Sequence, residues 1–211
     1  MKKIYSIFIL LAMAFPAFAQ TPQQILERMA KVWEEHEKEG LVMTVDTKMP
    51  IVGTLSVKQY SLGNKTRTET KMLGAQLITW DDGVTEWTYT SNDKKRSISI
   101  EDSKQDPSED SDADLFTNAT DDGYDFSIKK ETANSWLILC KKNKHNKEKD
   151  DPKNIEIEVS KNGYYPLSLK TKMSGITLTM REISFGVKED FVTFDLKNYP
   201  GVKIEDKRNK K

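Results

Sequence analysis

The chain has 211 residues, with 33 basic and 33 acidic side chains, so its formal net charge is zero. With this balance the chain has no excess of positive charge that would favour nucleic-acid binding, and over most of its length none that would favour binding to an anionic membrane surface. The single cysteine, Cys140, excludes an internal disulfide, and its place in an apolar run indicates a small buried side chain.

Residues 1–19 have the features of a cleaved secretory signal. Two lysines precede an apolar segment, residues 7–15, and Ala17-Phe18-Ala19 is the small-x-small pattern that signal peptidase reads. The apolar segment is too short to span a bilayer as a mature helix. We therefore expect export to the periplasm and a single soluble domain over residues 20–211. Cleavage leaves 31 basic against 33 acidic residues, a net charge of −2.

The first element expected in the mature chain is an amphipathic helix. Thr21 is a suitable N-cap, Pro22 is tolerated at the first helical position, and Gln24 stands where a capping box needs it. Gly40 is predicted to end the helix. Its apolar positions recur at helical spacing and form one stripe, which needs a sheet to lie against. The stripe consists of Ile25, Leu26, Met29, Val32 and Trp33.

After Gly40 the apolar period changes to two, and turn residues separate twelve predicted strands. The strands are 41–47, 51–60, 65–71, 76–80, 86–90, 96–101, 124–130, 136–141, 154–160, 165–172, 176–185 and 191–196. Strands at such even spacing, joined by hairpin turns, favour one large antiparallel meander.

Residues 77–100 are the expected organising centre of this sheet. Asp82-Gly83 lies between alternating apolar runs and is a strong hairpin signal. Trp80 precedes the turn, while Trp87 and Tyr89 follow it and share one face. These large apolar rings belong either to the packed centre of the sheet or to a surface that something else covers.

Two segments interrupt the strand pattern. Residues 101–122 are acidic and rich in turn formers, but within them Ser111 is a suitable N-cap that precedes acidic residues and the apolar pair Leu115 and Phe116. This pattern predicts a short helix with an apolar face. Residues 141–153 are densely charged and predict a solvated loop between strands.

The sequence contains no established catalytic or metal motif. His36 and His145 are the only histidines and lie far apart, so no zinc constellation is formed by spacing. A pattern similar to half of a calcium loop is formed by Asp110, Asp112, Asp114 and Asp121. Leu115, however, stands where that loop needs Gly. We expect no enzyme activity, no cofactor and no metal. The alternative is that the protein is an exported enzyme of an unrecognised type.

Two motifs carry a family resemblance. The hairpin D-G-x-x-x-W-x-Y and the closing segment F-x-x-x-x-x-P-G-V of this sequence resemble the hairpin D-G-x-x-x-W-x-Y and the closing F-x-x-x-x-P-x-G-V of the LolA-like outer-membrane lipoprotein carriers, with the proline one position later. The matching residues are Asp82, Gly83, Trp87, Tyr89, Phe194, Pro200, Gly201 and Val202. The resemblance implies a mainly β fold: a curved, incomplete antiparallel barrel, with one N-terminal amphipathic helix and a short lid helix closing an apolar cavity for acyl chains.

The sequence departs from the family at one position. The family carriers have a Lys-Arg-Pro step at the end of the second strand, and its arginine latches the lid helices. Here the corresponding step reads Lys58-Gln59-Tyr60, and the nearest arginine is Arg67 on the next strand. The lid latch is therefore Gln59, Arg67 or neither.

The resemblance implies a lipid-binding cavity in which the two helices cover the sheet. Its expected residues are Met29, Val32, Trp33, Leu55, Val57, Ile78, Trp80, Trp87, Tyr89, Leu115 and Phe116. Each of these side chains has an alternative interpretation as an ordinary core residue, because apolar stripes usually just pack.

The implied function is that of a monomeric periplasmic carrier that shields the acyl chains of a lipoprotein or another lipid between the inner and outer membranes. An inner-membrane ABC-type releasing complex and an outer-membrane acceptor are its expected partners. An envelope sensor or protein-interaction module on the same fold is the alternative. The basic tail, residues 203–211, either touches a membrane or partner or is a frayed end.

Overall fold

The computed structural model describes residues 20–105, 123–149 and 151–208. Helix α1 spans Pro22–His36 and continues as a 3-10 turn, Glu37–Glu39. The strands are β1 Leu41–Met49, β2 Gly53–Leu62, β3 Lys65–Met72, β4 Ala75–Asp81, β5 Thr85–Ser91, β6 Arg96–Asp102, β7 Tyr124–Glu131, β8 Ser135–Lys142, β9 Asn154–Ser160, β10 Pro166–Met173, β11 Ile176–Phe185 and β12 Lys203–Asp206. Between β11 and β12 lie helix α2, Glu189–Val192, and a 3-10 turn, Leu196–Asn198.

The twelve strands of the described residues belong to one sheet, in the order β12-β6-β5-β4-β3-β2-β1-β11-β10-β9-β8-β7. Two antiparallel meanders, β1–β6 and β7–β11, are joined by the pairing of β1 with β11. Strand β12 adds to the edge strand β6 in parallel. The sheet is curved and does not close. The predicted fold class, a mainly β incomplete barrel with an N-terminal helix, is therefore confirmed, whereas the short helix expected near 111–116 lies outside the described residues.

Helix α1 begins and ends as its sequence predicts. The Thr21 hydroxyl accepts a hydrogen bond from the Gln24 amide at 3.2 Å, and the Gln24 side chain accepts one from the Thr21 amide at 3.1 Å. At the other end Gly40 has φ +83°, and a Cβ there would lie 2.7 Å from the Ser61 carbonyl oxygen. Only glycine fits this junction between α1 and the sheet without displacing its neighbours.

The structure corrects two expectations about the C-terminal residues. The strand expected over 191–196 is wrong, because these residues form the end of α2 and the start of the following 3-10 turn. Strand β11 already has β1 and β10 on its two sides, so no place remains for a further neighbour. The tail is not simply frayed either, since Lys203–Asp206 forms β12 and satisfies backbone groups of β6 that an edge strand would leave unpaired.

The main hydrophobic core lies between α1 and one half of the sheet. Ile25, Leu26 and Met29 of the helix are fully buried, and Trp33 is nearly so. Their sheet partners come from β1 and β7–β11 and include Met43, Ile138, Cys140, Ile157, Leu169 and Met180. Within the described residues this core contains no member of β2–β6. We call the side of the sheet that α1 covers the helix face.

Candidate functional site

Strand register shows how the helix face continues beyond α1. Directly paired residues on neighbouring strands point to the same side of a sheet. One row of such pairs runs across seven strands, in the order Leu169, Met180, Val45, Val57, Thr70, Leu77 and Thr90. The row therefore starts in the core under α1 and ends on the other half of the sheet.

Burial decreases along this row. Leu169 and Met180 are fully buried beneath α1, whereas Val57 and Leu77 are only half-buried. Leu55 lies on β2 two residues before Val57, on the same face, and is half-buried too. We call Leu55, Val57 and Leu77 the aliphatic strip. It continues a packed core sideways, beyond the helix that covers that core.

Threonines surround the aliphatic strip. The helix face of β3–β5 presents Thr66, Thr68, Thr70, Thr79, Thr88 and Thr90, all of them half-buried. The hydroxyls of Thr79 and Thr88 lie 3.1 Å apart and are hydrogen-bonded across the strands. A threonine whose hydroxyl is bonded to a neighbour adds a methyl group to the surface, so this half of the helix face is mixed in polarity but carries no charge at its centre.

Carboxylates mark one end of the same face. The Ser103 hydroxyl donates to Asp81 at 2.9 Å, and the Gln105 side chain donates to the Thr66 hydroxyl at 3.1 Å. Burial, reinforced by the neighbouring Asp81 carboxylate, raises the pKa of Glu86. Among the described residues no group of three or more His, Cys, Asp or Glu side chains could hold a metal ion.

The aromatic residues of the β4–β5 hairpin point to the opposite face. Trp80 pairs with Arg67 and Trp87, and Ile78 pairs with Glu69 and Tyr89. The strip residue Leu77 directly precedes Ile78 on β4 and therefore points to the other face. Residues 188–202 cover this opposite face. The Phe194 ring lies 5.3 Å from that of Trp87 and 5.5 Å from that of Trp80, and the rings of Tyr89 and Tyr199 are 4.8 Å apart. The two motifs that carried the family resemblance are therefore in direct contact.

Arg67 anchors α2 to this opposite face. Its guanidinium lies 4.0 Å from the centroid of the Phe191 ring and 5.0 Å from that of Trp80. One terminal nitrogen donates to the Phe191 carbonyl oxygen at 3.3 Å, and the other pairs with Glu69 at 2.6 Å. Arg67 therefore holds α2 rather than α1. Gln59 lies on the helix face, half-buried, between Met43 and Thr68. A latch function for either residue stays a prediction.

The predicted cavity residues are thus divided among three places. Met29, Val32 and Trp33 lie on α1, and Met29 and Trp33 belong to the main hydrophobic core; Leu55 and Val57 lie on the helix face of the sheet, beyond the part that α1 covers. The opposite face carries Ile78, Trp80, Trp87 and Tyr89. Leu115 and Phe116 lie outside the described residues. The expectation that α1 covers Trp80 and Trp87 is wrong. Lipid contact by any of these side chains stays a prediction.

The reason for the error is strand parity. The apolar residues of β2 on the helix face have odd numbers, and those of β4 on the opposite face have even numbers. Strand β3 between them is polar on both sides, so its sequence gives no signal of which face it presents. Leu77 was not among the predicted cavity residues. The available signal was that β4 has apolar residues at both Leu77 and Ile78, so that each face of the strand carries one.

No protein-family model matches the chain, and no curated protein matches its sequence. The chain is similar to the crystal structure of an uncharacterized conserved protein from Thermus thermophilus, at 15% identity and a TM-score of 0.43, over 87% of this chain and 98% of that one. It is similar to a LolA superfamily protein from Nitrosomonas europaea, at 11% identity and a TM-score of 0.32, over 84% and 99% of the two chains. It is also similar to the lipoprotein LppX from Mycobacterium tuberculosis, at 8% identity and a TM-score of 0.40, over 77% of this chain and 92% of that one. Likeness of this degree assigns no function.

Proposed function

We propose that this protein is a non-enzymatic periplasmic carrier that binds the acyl chains of a lipoprotein or another lipid along the aliphatic strip. The single observation that supports it is the row of paired residues that leaves the fully buried core under α1 and is only half-buried at Val57 and Leu77. Export rests on the signal pattern of residues 1–19. No helix within residues 20–105, 123–149 and 151–208 is long and apolar enough to cross a membrane.

An acyl chain fits this surface energetically. Each buried methylene contributes about 0.8 kcal/mol, so a ~16-carbon chain supplies roughly 10 kcal/mol before the entropy and reorganisation costs of binding. The strip is contiguous with the core, so a chain laid along it has packed aliphatic side chains at one end. The fitting cargo is an acylated lipoprotein or free lipid, with an inner-membrane ABC-type complex and an outer-membrane acceptor as its donor and receiver.

Displacement of a fluorescent fatty acid tests the proposal. We expect V57D and L77D each to lower the probe affinity by about tenfold or more, because the new carboxylate would have to lose water against the acyl chain. T54D and Q76D are matched controls on the same two strands, since Thr54 and Gln76 are exposed on the opposite face, and their affinity should stay at the wild-type value.

Circular dichroism and thermal unfolding of all four variants establish that they fold. Wild-type affinity in folded V57D and L77D would reject the aliphatic strip as the site. If the wild-type protein binds no probe and instead retains a specific protein partner, the carrier proposal fails and the interaction-module alternative replaces it.

A further inference from the structure

Three neighbouring hairpins end together at one end of the sheet. The turns of β1–β2, β3–β4 and β10–β11 lie at this end because β1, β3 and β10 run in the same direction. In sheet order these hairpins are consecutive, as β4-β3, β2-β1 and β11-β10. Six adjacent strands at about 4.8 Å spacing place the three turns along an arc of roughly 24 Å at the end of the curved sheet.

The turns at this end carry exposed apolar side chains. Of the thirteen large hydrophobic residues that are exposed in the described part of the chain, six belong to these hairpin tips, including the three most exposed. They are Leu73 (98%), Ile51 (97%), Val52 (77%), Met72 (47%), Ile176 (39%) and Met173 (38%). We call these six residues the apolar tips. Singly exposed hydrophobic residues are ordinary, but a row on three consecutive turns is not.

Leu73 is disfavoured at its position for two reasons. It has φ +51° and Gly74 has φ +78°, so the turn needs positive φ at both central residues, a conformation that Asn, Asp and Gly adopt far more readily than Leu. Its side chain is also almost fully in water. Neither the backbone nor solvation explains a leucine here, which points to a contact made by the side chain outside the folded chain.

The same short sequence leads into all three turns. Thr-Lys-Met occurs at residues 47–49, 70–72 and 171–173, at the outgoing ends of β1, β3 and β10. Lys48, Lys71 and Lys172 are therefore exposed on one face, beside the apolar tips. Their directly paired neighbours are Thr54, Thr177 and Gln76, which are uncharged. The chain as a whole is nearly neutral. At this end the three lysines are only partly offset by Asp93 of the adjacent β5–β6 turn, which lines the same recess as Lys71, so the fold gathers net positive charge here.

We propose that this end of the sheet docks on an anionic phospholipid bilayer, with the apolar tips entering the interface and the three lysines meeting lipid phosphates. Apolar residues flanked by lysines suit the boundary between headgroups and acyl chains, where the long lysine stems lie along apolar surface and the ammonium groups reach outward. Each lysine near an anionic surface adds attraction that salt weakens. This docking is independent of the proposed acyl site, since no strip residue belongs to it.

Flotation with vesicles tests the docking surface. Wild-type protein should bind vesicles of phosphatidylglycerol and phosphatidylcholine at low salt, and should bind phosphatidylcholine alone far more weakly. I51D and L73D should each lower the partition coefficient by about tenfold or more, because an interfacial apolar group becomes a charge. V84D is the matched control, since Val84 is 74% exposed in the β4–β5 turn at the opposite end of the sheet, and should bind as the wild type does.

The lysines are tested by charge-matched triple variants. K48Q/K71Q/K172Q should lose roughly 10²-fold in partition, at about fivefold per lysine. K31Q/K38Q/K197Q removes the same net charge from exposed sites elsewhere and should remain close to the wild type. Asp tolerates the Leu73 backbone better than Leu does, so L73D should fold. Failure of the wild type to bind anionic vesicles, or equal losses in V84D or in the control triple, would overturn the proposal.

Discussion

Replacement of Phe194 by Ala removes the ring on which the cover of the opposite face depends. That ring stacks on Trp87 and Tyr199, at 5.3 and 5.9 Å between centroids, and meets Trp80 edge-on at 5.5 Å. Aromatic pairs contribute about 0.5–1.5 kcal/mol each beyond area burial. Full burial would make a Phe-to-Ala change cost about 3–5 kcal/mol; because Phe194 is only half-buried, we expect a loss of about 2–3 kcal/mol.

Urea unfolding followed by tryptophan fluorescence measures this loss, because Trp80 and Trp87 report directly on the cluster. The thermal midpoint should fall in parallel, by about 2–4 °C per kcal/mol for a chain of this size. L196A is the matched control, since Leu196 lies in the same segment and is 46% exposed, and it should change stability by less than ~0.5 kcal/mol. An F194A protein as stable as L196A would refute the aromatic cover of the opposite face.

Three further changes have definite expected outcomes. G40A should lower the free energy of unfolding by about 1–3 kcal/mol in urea, since its Cβ would collide with the Ser61 carbonyl oxygen; an unchanged midpoint would contradict the packing at this junction. Burial and Asp81 raise the pKa of Glu86, so the ionised form disfavours the fold, and E86Q should raise the thermal midpoint at pH 7 but not below about pH 4, where wild-type Glu86 is protonated. Burial raises the pKa of Cys140 to about 12, so a thiol reagent at pH 8 should label it only in urea; rapid labelling of native protein would show that the core opens.

Local signals predicted the elements well. The cap at Thr21, the glycine after the helix and the alternation of apolar residues identified α1 and eleven of the twelve strands to within a few residues, because these features depend on neighbours in sequence. The missing strand, β12, is the short segment Lys-Ile-Glu-Asp, whose single apolar residue gives no alternation, and it pairs with β6, which would otherwise be an exposed edge.

Faces and long-range pairing could not be predicted in the same way. The pairing of β1 with β11 joins residues more than 120 positions apart, and nothing local in Leu41 or Phe185 specifies it. The side to which Trp80 points depends on register through the polar strand β3, where a shift of one residue exchanges the faces. Hence the sequence identified the large apolar residues of the β4–β5 hairpin but assigned them to the wrong cover.

Native mass spectrometry of the mature protein, purified from periplasm without detergent, tests the carrier proposal most directly. If the aliphatic strip holds acyl chains, the wild-type protein should carry one lipid or acylated polypeptide in near-stoichiometric amount. V57D purified in parallel should carry none, while T54D should match the wild type. A wild-type protein that emerges at its own sequence mass, and takes up no lipid when lipid is added, would contradict the proposal.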